Sequence, residues 1–509
     1  MKSKILWCVQ STNSLVQENK VAYRQIMKAT SIFGGVQVFQ IIIGIIRSKF
    51  VAVLLGPQGM GIAGLLQSTT GLIAGLTNFG LATSAVKDIS AAHSTANALR
   101  ISIVVTVFRR LVWITGLLGA IITLVFSPWL SQFAFGSKEY TYAFILVSVT
   151  LLFDQINAGQ GVLLRGMRQI SYMAKAGMIG SILGLFTTLP LYYFYGMKGI
   201  VPAIIITSVT SLMISWYFAQ KLSIKPIYVS KARTIAEGKG MLKLGFMISL
   251  SGLITIAASY IVRIYISHKG GVDQVGLYNA GFAIINTYVG LVFTAMGSDY
   301  YPRLSAVSKS NTESRNIINQ QAEIALLILA PIIMIFLVFI NWVVNLLYSN
   351  QFVAVNDMIL YAALGMFFKA ASWAVAFIFL AKGASKLFFW NELITNIYLL
   401  ALNIAGYYFW GLAGLGISFL IAYILYLVQV FLVARIKYDF SFTPAFYKIF
   451  VPQLALAFTG FLVVKLLGSP YSYSIGLLLI LVSAWLSFKE LEKRLDVKGI
   501  FNSIKNRFS

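Results

Sequence analysis

The 509 residues predict an all-α polytopic membrane protein of about 14 transmembrane helices. Three observations carry that prediction. Apolar segments long enough to cross a bilayer, about 20 residues each, recur from end to end. The chain is 59% hydrophobic and only 11% charged, with a mean hydropathy of +0.82, more apolar surface than a soluble chain of this length needs. The basic residues alternate from loop to loop between rich and poor clusters. Strand-period alternation is not sustained anywhere, which argues against a β-barrel.

In chain order the spans fall near residues 31–55, 62–86, 111–133, 141–164, 171–195, 199–219, 241–266, 275–300, 324–348, 354–381, 387–408, 412–434, 446–467 and 474–488. Glycine-rich turns such as GPQGMG and WGLAG separate several of them. Residues 1–30 read as a basic cytoplasmic segment: Trp7 before Cys8 argues against a lipoprotein cleavage site, and Ile5–Val9 is too short for a signal-peptide core. The longest soluble stretch, 220–240, holds KLSIKPIYVSKARTIAEGKG and divides an N-lobe (31–219) from a C-lobe (241–436). Residues 437–509 supply spans 13 and 14 and a basic cytoplasmic tail.

Of the 40 Lys and Arg, 32 fall in the N-terminus, every second loop and the C-terminus. The intervening loops hold four, Lys138, Lys198, Lys269 and Lys465, and four more lie inside spans, Arg47, Lys49, Arg263 and Lys369. This is the positive-inside pattern. It predicts that both termini are cytoplasmic and that the number of spans is even. The net charge of +25 is then mostly topology and contact with anionic lipid, not nucleic-acid binding.

The lobes read as repeats. The first span carries IIRSKFVAVLLGPQGMGIAGLL and the seventh YIVRIYISHKGGVDQVGLYNAGF. Arg47 precedes Gly61 by 14 residues, and Arg263 precedes Gly276 by 13. Six spans per lobe preserve orientation, so the expected repeat is parallel, with a pseudo-twofold axis along the membrane normal.

Polar stripes inside the spans point to a function. Gln37, Gln40, Gly44 and Arg47 follow at steps of 3, 4 and 3, which places them on one helix face. A charge at membrane depth costs at least a few kcal/mol, so this face is expected to line a polar cavity. The alternative is that Arg47 snorkels to the headgroups. Similar stripes are Gln67, Gly71, Gly75 and Asn78; Asp154, Asn157, Gly161 and Arg165; and Ser251, Thr255, Ser259 and Arg263. Asn279, Asn286, Gly290 and Thr294 form another, Lys369 and Ser372 sit mid-span, and Glu392, Asn396 and Asn403 share a face. Small polar residues at helix interfaces can equally be packing glue. The deep charges are mainly positive, Arg47, Arg263 and Lys369 against Asp154, with Glu392 nearer the inner surface. Such a surplus suits an anion, and the guanidinium fork suits phosphate.

Other chemistries are thinly represented. Cys8 is the only cysteine, and His93 and His268 are far apart in sequence with no metal-ligand spacing. Gly238-Lys239 lacks the upstream glycine of a phosphate-binding loop. Neither a metal nor a cofactor is expected. The outer loops are too short to build a carboxylate-rich active site, which disfavours a membrane-embedded polysaccharide polymerase or ligase.

The runs RSKFVAVLLGPQGMGIAGLLQS, NFGLATSAVKDIS, LLRGMRQISYMAKAG and YYPRLS resemble Wzx-type flippases of O-antigen and other polysaccharide repeat units. These belong to the multidrug/oligosaccharidyl-lipid/polysaccharide (MOP) exporter superfamily. The resemblance covers most of residues 25–440. It implies a MATE-like arrangement of two six-helix lobes around a cationic cavity, with two C-terminal helices added. It implies that undecaprenyl-pyrophosphate-linked oligosaccharide moves from the inner to the outer leaflet of the cytoplasmic membrane by alternating access. On that reading Arg47, Arg263 and Lys369 hold the pyrophosphate. Gln37, Gln40, Gln67, Asn78, Asn157, Asn279 and Asn286 line the cavity, and Asp154, Arg165 and Glu392 serve gating or proton coupling. Candidate partners are membrane lipids, the repeat-unit polymerase and the chain-length regulator. A lipid II flippase of the same superfamily is the nearest alternative reading, and a multidrug antiporter would want an acidic cavity.

Overall fold

The computed structural model describes the backbone of residues 2–95, 97–225, 227–468 and 470–495. Side chains of these residues are described from residue 35 onward, apart from residues 247, 248, 288, 295, 298 and 495. The end of the basic tail, from residue 496, lies outside the described residues. Among the described residues all regular structure is helical. The elements are α1 (Lys2–Thr77), α2 (Leu81–Ser94), α3 (Ala98–Val125), α4 (Ser127–Phe135), α5 (Thr141–Gly166), α6 (Ile170–Tyr195), α7 (Ile200–Gln220) and α8 (Lys231–Gly270). They continue with α9 (Val272–Ala283), α10 (Leu291–Ala306), α11 (Asn311–Val338), α12 (Ile340–Leu347), α13 (Asn356–Ala381), α14 (Ser385–Tyr438), α15 (Pro444–Leu466) and α16 (Tyr471–Leu495).

Ten segments among the described residues are long and apolar enough to cross a membrane. Three of them are of double length, 35–77, 170–220 and 385–438, and each is broken at a glycine with positive φ: Gly56, Gly196 and Gly411. The expected count of fourteen is not confirmed by these ten, although spans 13 and 14 are present as α15 and α16. Three expected spans differ in outline. The span expected at 111 belongs to a helix that begins at Ala98, because Asn97 Oδ1 accepts the Arg100 N–H (3.0 Å) and caps it. The expected span 62–86 is not continuous: Asn78 Oδ1 accepts the Gly80 N–H (2.8 Å), Phe79 and Gly80 adopt positive φ, and α2 starts afresh. The span at 275–300 is interrupted by a π-turn over Ile284–Val289.

The chain forms two compact units. The first holds residues 1–50, 70–131 and 138–250, and the second holds 51–69, 132–137 and 251–509. In the first, α3 packs on α5, α5 on α7 and α6 on α7. In the second, α13 packs on α11 and α14, and α11 carries α15 and α16. Partly buried polar bonds fasten α16 and the start of α15 to α11. Arg494 Nε donates to Glu323 Oε2 (3.0 Å), and Thr443 bonds Asn319 through its N–H (2.8 Å) and Glu323 through its hydroxyl (3.1 Å).

The internal repeat is visible as a constant register of 215 residues. Gly196 (φ 53, ψ −131) and Gly411 (φ 56, ψ −136) make the same turn, in YYFYGMKG and YYFWGLAG, a conformation that Cβ sterics reserve for glycine. Gly199 then abuts the Leu191 carbonyl as Gly414 abuts that of Gly406. Arg168 and Gly383 share positive φ, and the Gln169 N–H to Leu164 O bond (2.8 Å) repeats as Ala384 N–H to Phe379 O (2.9 Å). A reciprocal contact lies within the second unit. A Cβ on Gly61 would collide with the Val272 carbonyl, and one on Gly276 with the Pro57 carbonyl. Pro57 and Gly61 are the register counterparts of Val272 and Gly276, so the close crossing maps onto itself when the repeats are exchanged.

Candidate functional site

Each unit carries its own polar cavity. That of the first unit measures about 640 Å³ and lies among α1, α5, α6 and α7. The first-span stripe contributes Gln37, Gln40 and Arg47, and the fourth-span stripe contributes Asn157, Gly161 and Arg165. The structure thus brings together two faces that helical spacing had marked separately. Among the described residues no carboxylate lines it, while Arg47 and Arg165 do, so the described wall is cationic. Arg47 makes no ion pair among the described residues, and Arg165 Nε approaches only Met173 Sδ (3.4 Å). Asp154 lies one turn before Asn157 on α5, where its Oδ1 accepts from Ser208 Oγ (2.6 Å). The far walls are small: Gly177, Gly180 and Gly184 on α6, and Thr207, Ser211 and Ser215 on α7. These residues were not singled out from sequence, although their recurrence every three or four positions was a readable sign.

The cavity of the second unit measures about 480 Å³. Lys369 Nζ donates to Asn286 Oδ1 (2.8 Å) and stands over the rings of Tyr423 (5.1 Å) and Phe419 (5.5 Å). Glu392 lines the same cavity and accepts from the Tyr426 hydroxyl (2.9 Å), with Asn396 and Asn403 nearby in the wall. Aromatic residues, among them Tyr278, Phe282 and Trp373, supply much of the remaining surface.

Arg263 is placed differently from its expected role. Its Nε donates to Asn279 Oδ1 (2.9 Å), its Nη1 to the carbonyl (3.0 Å) and hydroxyl of Ser259, and it stacks over Tyr278 (5.5 Å). Its Nε and Nη1 are committed to its own unit, and it is not among the lining residues, whereas Val262 is. The 215-residue register explains this: the counterpart of Arg47 is Val262, not Arg263. One residue turns a helical side chain by about 100°. Asn279 therefore acts as Arg263's acceptor rather than as a free wall residue. Gln67 lies exposed on the part of α1 that belongs to the second unit, and Asn78 is spent on the turn before α2.

The register makes the two cavities counterparts. Asn157, Arg165, Gly177, Ser181 and Ser211 in the first correspond to Ser372, Leu380, Glu392, Asn396 and Tyr426 in the second, all wall residues. Asp154 corresponds to Lys369, and its partner Ser208 corresponds to Tyr423, the ring beneath Lys369.

The polysaccharide biosynthesis protein family matches residues 50–357. The lipid III flippase of Escherichia coli (strain K12) is 21% identical over 362 residues, covering 69% of this chain and 83% of that protein. A Shigella flexneri protein named as an O-antigen transporter is 25% identical over 386 residues, 74% of this chain and 90% of that one. Among solved structures, the lipid II flippase MurJ in an inward closed conformation superposes with a TM-score of 0.70 at 15% identity, covering 91% of this chain and 99% of its own. An inward-facing MATE multidrug transporter of the MOP superfamily does so with a TM-score of 0.65 at 16% identity, covering 79% and 94%. The chain has the all-helical fold shared by the lipid II flippase and the MATE transporters of the MOP superfamily, with ten segments among the described residues able to cross a membrane. More narrowly, the chain belongs to the polysaccharide biosynthesis protein family. Arg47, Lys369 and Glu392 lie outside the matched residues, while Asp154, Arg165 and Arg263 lie inside them.

Proposed function

We propose that the chain is a flippase for undecaprenyl-pyrophosphate-linked oligosaccharide, an O-antigen or related repeat unit. It would move this lipid from the inner to the outer leaflet of the bacterial cytoplasmic membrane by alternating access, with both termini in the cytoplasm. The observation that carries the reading is the first-unit cavity, where two arginines meet amide side chains with no carboxylate among the described wall residues. Charge-assisted, two-pronged hydrogen bonds from guanidinium to phosphate suit a pyrophosphate head. Relatives named for lipid III and O-antigen support a lipid-linked saccharide as cargo.

In this proposal Arg47 and Lys369 meet the anionic head, each within its own cavity. The rings and amides around Lys369 suit sugar, whose apolar faces stack on aromatics while its hydroxyls bond Asn side chains. Arg263 is a positioning residue that holds Asn279 and Ser259. Asp154 and Glu392 are the candidate gating or proton-coupling groups. Outward passage of a head bearing about two negative charges gains roughly 5 kcal/mol per 100 mV of inside-negative potential. The repeat-unit polymerase and chain-length regulator are candidate partners.

The test is mass spectrometry of lipid-linked intermediates on the cytoplasmic face of a deletion strain carrying wild type, Arg47→Ala or Lys369→Ala. The proposal expects both variants to insert and both to accumulate the intermediate. Wild-type export by both would remove the site assignment. One observation favours a second reading: the fold shared with the lipid II flippase spans nearly the whole of that protein. Rescue of a peptidoglycan-precursor flippase mutant would select that reading instead.

A further inference from the structure

A second groove in the first unit lies apart from the cavity just described. It has a volume of about 370 Å³ and runs among α3, α5 and the end of α7. Its floor is apolar, with Phe108, Val112 and Leu163 buried, and its rim carries the exposed Trp113 and Trp216. Among the described residues, two buried polar atoms of its lining side chains have no partner: Arg109 Nε, a donor, and Gln160 Oε1, an acceptor. The adjacent Arg110 shows what a satisfied arginine looks like here. Its Nη1 donates to the Val229 carbonyl (2.6 Å) and to Thr234 Oγ1 (2.7 Å). Buried polar groups are normally paired, so an orphaned donor and an orphaned acceptor on residues that line one groove mark a place for a ligand that offers both complements.

The internal repeat gives an independent argument. The register counterparts of Arg109, Gln160 and Trp216 are Ile324, Val375 and Phe431. In the second unit Phe431 is covered by the chain's own aromatic segment leading into α15. Phe442 stacks on it at 5.7 Å, Phe440 packs edge-on at 6.2 Å, and Phe446 stacks on Phe442 at 4.0 Å. The place there is apolar and filled. In the first unit the same place is open, and polar groups have replaced Ile324 and Val375.

We propose that this groove binds a membrane phospholipid of the phosphatidylglycerol type. Its phosphodiester would pair with Arg109, a hydroxyl of its glycerol head would donate to Gln160 Oε1, and its acyl chain would lie on the Phe108, Val112 and Leu163 floor. The exposed tryptophans suit headgroup depth, where indoles concentrate at membrane interfaces. A phospholipid matches the three requirements together: an anion, a donor and an apolar tail.

The experiment uses the full chain reconstituted in vesicles of mixed phosphatidylethanolamine and phosphatidylglycerol with a trace of photoactivatable phosphatidylglycerol. Labelled peptides are mapped after illumination. Wild type is expected to label the peptide containing Trp216, and Arg109→Met to lower that labelling about fivefold or more, with Arg109→Lys in between. Trp113→Ala/Trp216→Ala provides a second test, leaving Arg109 in place, and is expected to lower the same labelling. Unchanged labelling in Arg109→Met, or in the double variant should Arg109→Met fail to fold, overturns the proposal. Abolition of wild-type labelling by millimolar inorganic phosphate would also overturn it, since the ligand would then be a soluble anion. Equal labelling by a photoactivatable phosphatidylethanolamine would refute the preference for an anionic head.

Discussion

The two cavities occupy the same place in two copies of one helical design, and their walls disagree residue by residue. The first is built from Gly177, Gly180, Ser181 and Ser211, with Arg47 and Arg165 as its charges. The second sets Glu392, Thr395, Asn396 and Tyr426 at the corresponding positions, with Val262 and Leu380 where the arginines stand. The centre is inverted too: Asp154, held by Ser208, has as its register counterpart Lys369, which lies over Tyr423. Duplication preserved the backbone because the turns and close crossings depend on glycine and on carbonyl positions. Wall side chains carry no such constraint, so charge and size diverged freely. A two-arginine wall of small residues suits a bulky anion. An aromatic wall with one lysine and one carboxylate suits a ligand that sets one anionic group beside sugar, the lysine taking the anion and the rings and amides the sugar.

Substitutions where the repeats agree, and exchanges between counterpart positions where they differ, test that contrast. The largest effect is expected where the repeats still agree. Gly276→Val places a branched side chain against the Pro57 carbonyl. Backbone cannot yield as a flexible side chain would, so destabilisation of about 3 kcal/mol or more is expected. Loss of folded protein on size-exclusion chromatography in detergent checks it. A monodisperse, thermally unchanged Gly276→Val would show that the crossing is slack.

Arg47→Val comes next, giving the first cavity its counterpart's residue. A charge-assisted bond contributes about 1.5–3 kcal/mol, so export of lipid-linked saccharide at limiting substrate should fall about tenfold or more. Near-normal export in a vesicle assay would mean that the charge asymmetry is not used. Glu392→Gly makes the second cavity resemble the first. It leaves the Tyr426 hydroxyl without its acceptor and adds a helical glycine, so the protein should lose about 1–2 kcal/mol of stability. Tyr426→Phe in the same background should then cost little further, which a double-mutant cycle on thermal unfolding measures. Arg165→Leu should do least, a change in export of less than about threefold, because that side chain is exposed and, among the described residues, is held by a weak bond to Met173 Sδ. A larger drop would move the anion site toward Arg165.

Helical spacing made much of the first cavity legible. Gln37, Gln40 and Arg47, and Asn157, Gly161 and Arg165, recur at helical intervals, and a polar stripe on an apolar span has few other uses. The pairing of Arg47 with Arg263 illustrates the limit of that reasoning. The two looked equivalent because each precedes a glycine-containing motif at nearly the same distance. The one-residue difference rotates Arg263 out of the wall and into bonds with Asn279 and Ser259. Asn78 shows a second limit: it continues the periodic stripe of its span, yet its side chain serves the turn that ends α1. The 215-residue register was present in YYFYGMKG and YYFWGLAG all along, but identity of turn geometry is what gives so short a match its weight.

By itself the sequence determined class and membrane character, because hydropathy and the loop-by-loop placement of lysine and arginine are local properties of the chain. Periodicity also chose the polar faces, since it depends only on the helix repeat. Tertiary packing decided which faces meet, which arginine enters a cavity and which is spent on its neighbours. It also decided that one copy of a duplicated groove is plugged by phenylalanines while the other stays open. Those outcomes depend on rotations of a single residue and on contacts hundreds of positions apart, which no local pattern encodes.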